Sequence, residues 1–181
     1  MERSNEILLK PSIPYIEGYG AAYSNLNVYP NWNPIFWDYI EFNTSDLENK
    51  PQGTSSRIVV RTTGIYLIEI SLTFDCSNMS EPSAFFISRI LKNGIEISGS
   101  RFAGSSIQNL QHYQTISTFK TVYLSVNDVI TFQYITDDIG LKFADDMIAN
   151  EYYSKFRLSF IPLGGWNNNY GGNIINRGVR R

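Results

Sequence analysis

Apolar and polar residues alternate one for one along much of this chain, the spacing of strands half-buried in a sheet. In GIYLIEISLTFDC, residues 64–76, the side chains of Tyr66, Ile68, Ile70, Leu72, Phe74 and Cys76 share one face, and Leu67, Glu69, Ser71, Thr73 and Asp75 share the other. In TFKTVYLSVNDVITFQYI, residues 118–135, Val122 and Leu124 alternate with Thr121, Tyr123 and Ser125. After Asn127-Asp128, the residues Ile130, Phe132 and Tyr134 alternate with Thr131 and Gln133. This pattern predicts an antiparallel hairpin over 118–135, its apolar side packed against the sheet carrying Ile68, Ile70 and Leu72. SAFFISRILKNGIEISGS predicts a second hairpin, because Asn93-Gly94 suits a two-residue turn.

Further short strands are predicted over GAAYSNLNV, WDYIEFNTS, SSRIVVRTT, HYQTISTFKTVYL and SKFRLSFIPL, the last with Phe156, Leu158 and Phe160 on one face. DDIGLKFADDMIANEYY breaks the alternation and reads as a long loop crossed by a short strand near 141–143. With no helical period, the chain reads as all-β: a two-sheet antiparallel jelly-roll sandwich over residues 21–163. An extended N-terminal arm, 1–20, carries Pro11, Pro14, Gly18 and Gly20. A Gly/Asn-rich C-terminal tail, 164–181, holds Trp166 and Tyr170.

Taken in chain order, these segments resemble the globular head of the complement subcomponent q family, which shares its jelly roll with tumour necrosis factor. AAYSNLNV, WDYIEFNTS and VRTTGIYLIEISLTF stand as its early strands, and SRILKNGIEI as its Lys-Asn hairpin. TVYLSVNDVITFQYI matches its Asp-Val-led hairpin, and KFADDM with SKFRLSFIPL its aromatic-Ala-Asp loop and last strand. Asn127 stands where the family usually has Gly, and Leu158 where a Gly is common. The resemblance implies a homotrimer in which aromatic faces of three jelly rolls meet around an axis and outer loops carry recognition. No Gly-X-Y run is present, so the terminal arms would anchor the domain to a larger capsid or surface assembly.

A net charge of -2 supplies no basic field, so a nucleic-acid partner is not expected. Ile7 to Leu9 is too short an apolar run for a signal-peptide core or a membrane span. The expected route is synthesis in a host cytoplasm and assembly onto a virion surface, with a spore surface as the alternative. The sequons at Asn43 and Asn78 are then incidental.

Candidate chemistry is sparse. Cys76 and His112 are the only residues of their kinds, and the apolar setting of Cys76 suits an unreactive buried thiol. No cofactor is expected. Asp137, Asp138, Asp145 and Asp146 offer hard oxygens for calcium, against the plainer reading of a solvated acidic loop; related heads carry calcium in this region. Tyr113, Tyr152 and Tyr153 are candidate contacts for a protein or glycan receptor. Tyr29, Trp32 and Trp37 are aromatics of the same kind, the two tryptophans equally suited to the core or a subunit interface. The resulting expectation is a non-enzymatic homotrimeric surface module such as a phage head fibre, decoration or receptor-binding protein. A jelly-roll carbohydrate-active enzyme using Asp145, Asp146 and Glu151 is the alternative from another class.

Overall fold

In a computed structural model, which describes residues 13–22, 30–42, 46–50, 55–107, 113–144 and 154–162, thirteen strands and no helix form two antiparallel sheets. In chain order the strands are β1 (Tyr15–Ala22), β2 (Asn33–Pro34), β3 (Phe36–Phe42), β4 (Leu47–Asn49), β5 (Ile58–Val60), β6 (Gly64–Asp75) and β7 (Ser83–Lys92). They continue as β8 (Ile95–Glu96), β9 (Phe102–Ile107), β10 (Tyr113–Leu124), β11 (Val129–Thr136), β12 (Lys142–Phe143) and β13 (Lys155–Phe160). The first sheet runs β10-β6-β13-β1-β3, with β12 also on β6. The second runs β4-β5-β11-β7-β8, with β2 also on β11 and β9 on β7. This is the expected jelly-roll sandwich.

The core fills the space between the sheets from alternate positions of each strand. Tyr66, Ile68, Ile70, Leu72 and Phe74 of β6 enter it from one side, and Ile130, Phe132 and Tyr134 of β11 from the other. Trp37 packs edge-on against Phe132, with ring centroids 5.8 Å apart, and lies 4.8 Å from Phe156. Burying a Phe-sized side chain contributes about 1.5–3 kcal/mol, so this aromatic stack is a main source of stability. Trp37 is therefore a core residue. Alternation along β3 breaks opposite Gly20, whose φ of 68° interrupts β1 between the pairs Tyr19↔Tyr39 and Ala21↔Trp37. That break lets Trp37 turn inward while Tyr39, two residues on, stays 56% exposed.

One expectation is overturned. Residues 118–135 are not a hairpin, because β10 pairs along its whole length with β6 in the first sheet while β11 pairs with β5 and β7 in the second. The Asn127-Asp128 turn crosses from sheet to sheet. Asn127, at φ 71°, donates its N–H to the Val60 carbonyl at 2.8 Å, and Val60 donates to the Asp128 carbonyl at 2.9 Å. Val122 and Leu124 thus share a sheet with Ile68 and Ile70 and face Ile130 and Phe132 across the core. Period two shows that two strands each have one apolar side, and it is equally satisfied by neighbours in one sheet and by partners across a sandwich.

The second predicted turn is present: Asn93 and Gly94, at φ 53° and 79°, join β7 to β8. On that same edge β7 also pairs, over a longer stretch than with β8, with β9, whose small residues in FAGSSI hide its strand character. The first strand also begins before the expected boundary at residue 20, so Tyr15–Gly20 belong to the sheet. The predicted short strand near 141–143 is β12.

Candidate functional site: the outer face of the first sheet

Strand register brings residues from five distant segments into rows across the outside of the first sheet. One row reads Phe119, Glu69, Arg157, Glu17, Glu41 across β10, β6, β13, β1 and β3. Arg157 sits between two carboxylates: Nη2 is 3.3 Å from Glu17 Oε1, and Nη1 is 3.6 Å from Glu69 Oε2. Its guanidinium also lies 5.6 Å from the Tyr15 ring centre, and the Tyr15 hydroxyl donates to Glu17. Glu17 is only 7% exposed. Tyr19 is pushed up to about 12, first by burial and then by its hydrogen bond with Glu17.

The neighbouring row is Ser117, Ser71, Lys155, Tyr19 and Tyr39, in which Ser117 donates to Ser71 at 2.9 Å. Between the rows lies a groove of about 360 Å³, lined by Glu17, Glu69, Ser71, Ser117, Phe119 and Arg157 among others. Phe119 lines it, and further large aromatics stand exposed on the same face. Phe119 is 71% exposed, Tyr123 59% and Tyr39 56%. An all-apolar ring such as Phe119 on the outer side of a strand faces water at a cost that a docking surface removes. The serine hydroxyls here bond to each other.

The second sheet treats its outside differently. Arg89 donates through Nε and Nη2 to Gln133 Oε1 at 2.9 and 2.6 Å. Arg89 Nη1 and Arg101 Nη2 reach the same Glu96 oxygen, at 3.3 and 2.8 Å. Hydrogen bonds from Arg101 and then Arg89 hold the Glu96 carboxyl below its ordinary range despite the opposing effect of burial. The Arg89 guanidinium stacks 3.8 Å from the centre of the Trp32 ring, so Trp32 is a covered part of this cluster and not an open platform.

The sequence-derived candidates fall in several places. Tyr113 opens β10 on the outer face of the first sheet, 41% exposed and opposite Asp75. Asp137 accepts the Phe85 N–H at 2.8 Å. Asp138 is 1% exposed and accepts from the backbone N–H of Ser80, Glu81 and Gly140, at 2.9, 2.8 and 2.6 Å, and from the Ser80 hydroxyl. Burial pushes its carboxyl up, and these bonds outweigh burial and hold it below 3.8. Asp138 thus ties the loop after β6 to the loop after β11, and its oxygens are engaged in doing so. Asp145, Asp146, Glu151, Tyr152, Tyr153, His112 and Tyr29 lie outside the described residues. Among the described residues no group of three acidic, His or Cys side chains is placed to hold a metal ion. Cys76 is buried, its thiol 3.8 Å from the Phe74 carbonyl. The charged row at Arg157 escaped sequence reading, since only register reveals that Glu17, Glu69 and Arg157 are neighbours.

No protein-family model and no curated protein matches the chain. Solved structures do. The crystal structure of murine APRIL at pH 8.0 aligns with a TM-score of 0.54 and 11% identity, covering 82% of this chain and 98% of that one. The pH 8.5 structure gives 0.52 and 13% over 82% and 98%, and the pH 5.0 structure 0.50 and 12% over 82% and 99%. Likeness at this identity establishes the fold: a tumour necrosis factor-like jelly roll.

Proposed function

We propose that this chain is a non-enzymatic homotrimeric surface module, assembled through the outer face of the first sheet and recognising a protein or glycan through its outer loops. The observation that carries this reading is the exposure of Phe119, Tyr123 and Tyr39 on one sheet face. The charged row at Arg157 supports it too, because paired charges at the centre of a contact face set the register of a contact more than its strength. The setting we propose is a virion surface, with the module serving as a head fibre, decoration or receptor-binding protein. The Gly/Asn-rich segment beyond residue 163 supports attachment to a larger lattice.

The test is the solution mass of the full chain, by light scattering at micromolar concentration, beside a chain ending at Leu163. Three times the 20.7 kDa chain mass in both is the expected result, and a monomer in both overturns the trimer. The surface role is tested separately by mass spectrometry of purified particles, from which the chain must not be missing.

A further inference from the structure

The sequence contains one Asn-Gly pair, Asn93-Gly94, and it forms the turn between β7 and β8. Asparagine is a thermolabile residue, and it is most exposed to attack when glycine follows, because no side chain shields the next backbone nitrogen. Here Gly94 stands in open space, with nothing within 4 Å of where a Cβ would sit, and Asn93 is exposed. Solvent access therefore offers the pair no shelter.

Its side-chain amide is nonetheless held at both ends. Asn93 Nδ2 donates to Asp128 Oδ1 at 2.6 Å, and Asn93 Oδ1 accepts the Val129 N–H at 2.8 Å. The Asn93 backbone N–H donates to the Val129 carbonyl at 2.8 Å. Asp128 is fixed in turn by Lys92 Nζ and by the Ser125 N–H, each 2.7 Å from its Oδ2. These contacts join the β7–β8 turn to the turn that crosses between the sheets.

We propose that Asn93 is a deamidation site kept closed by the Asp128 clamp, and that its conversion is a one-way release of the tie between the two turns. In the reaction the Gly94 nitrogen attacks Asn93 Cγ, forming the N–Cγ bond as the Cγ–Nδ2 bond breaks. The Gly94 amide proton passes to the departing nitrogen, which leaves as ammonia. Water then opens the five-membered imide at either carbonyl, giving aspartate or isoaspartate at position 93. No electrons are transferred. A carboxylate oxygen then replaces the donor that faced Asp128, and two like charges meet at hydrogen-bond distance. The isoaspartate form also lengthens the backbone of a two-residue turn whose register pairs Lys92 with Ile95.

The experiment incubates the full chain, folded and in urea, at mildly alkaline pH, and follows residue 93 by peptide mass spectrometry. Folded wild type should convert at least about tenfold more slowly than the urea-unfolded chain, because attack waits on local opening. Folded Asp128→Ala should approach the unfolded rate. Asp128→Asn, which keeps an acceptor but loses its charge, should fall between and serves if the alanine variant fails to fold. Equal rates for folded and unfolded wild type, or a folded Asp128 variant as slow as wild type, would overturn the clamp. The release is read from Asn93→Asp, whose urea midpoint should drop. An unchanged or raised midpoint would overturn that part.

Discussion

The two outer faces of this sandwich finish the same architecture in opposite ways. On the second sheet, Arg89, Arg101, Glu96 and Gln133 bond to one another beside Trp32, so an aromatic ring and the Arg89 guanidinium cover each other within one chain. On the first, Phe119, Tyr123 and Tyr39 are exposed on a face whose charges centre on Arg157. Fold alone dictates neither outcome, since both sheets place alternate residues outward. What differs is the kind of residue left exposed: isoleucines at the rim of the second sheet, Ile95 at 75% and Ile107 at 55%, and aromatic rings on the first. The aromatic face is the one to test for a partner.

The largest effect should come from placing charge on those exposed aromatics. Phe119→Asp with Tyr123→Asp should convert the proposed trimer to monomer in light scattering while the circular dichroism of the sheets persists. Arg89→Met, the matching lesion on the second sheet, should leave the mass unchanged and shift Trp32 emission. A dissociating Arg89 variant, or a trimeric aspartate variant, would break the comparison.

Next in size is Arg157→Met. It leaves the nearly buried Glu17 and its neighbour Glu69 without their shared cation, for a loss of about 1–2 kcal/mol after allowance for the half-exposed arginine. Urea midpoints measure it, and Glu17→Gln in the same background should recover part of the loss.

The smallest effect is alkaline. Tyr19 titrates near 12 in the folded chain against 10.0 ordinarily, so the folded state holds a proton that the unfolded state gives up. Its contribution is complete below pH 10 and fades as pH rises toward 12. Tyr66, raised to about 12 by burial in the core, behaves alike. Tyr19→Phe should therefore shallow the alkaline limb of a stability profile without abolishing it, and an unchanged limb would separate Tyr19 from the buried carboxylate beside it.

Much of this was legible before any coordinates. The inward set of β6 and the Asn93-Gly94 turn follow from period two and turn chemistry, and both stand as read. The partner of β10 did not follow, because alternation records which side of a strand is apolar and not which sheet it joins. Trp37 was ambiguous for a related reason: its inward turn depends on the break at Gly20, fifteen residues or more from it in sequence. The site was less legible still. Glu17, Glu69 and Arg157 look like ordinary outward charges until β13 is laid between β6 and β1, and Asp138 looks like a free ligand until its backbone donors are seen.

That placement of β13 also bears on how the chain is made. The last strand of the described domain sits in the middle of the first sheet, paired on one side with β6 and on the other with β1. The opening strand of the described domain therefore waits for a neighbour that follows it by about 140 residues, the separation of Glu17 and Arg157. Pairings of such long sequence separation raise contact order and slow folding. Until residues 155–160 emerge, β1 and β6 each present an unpaired edge to every other nascent copy nearby, which makes that interval the period when this domain is most open to aggregation and to chaperones.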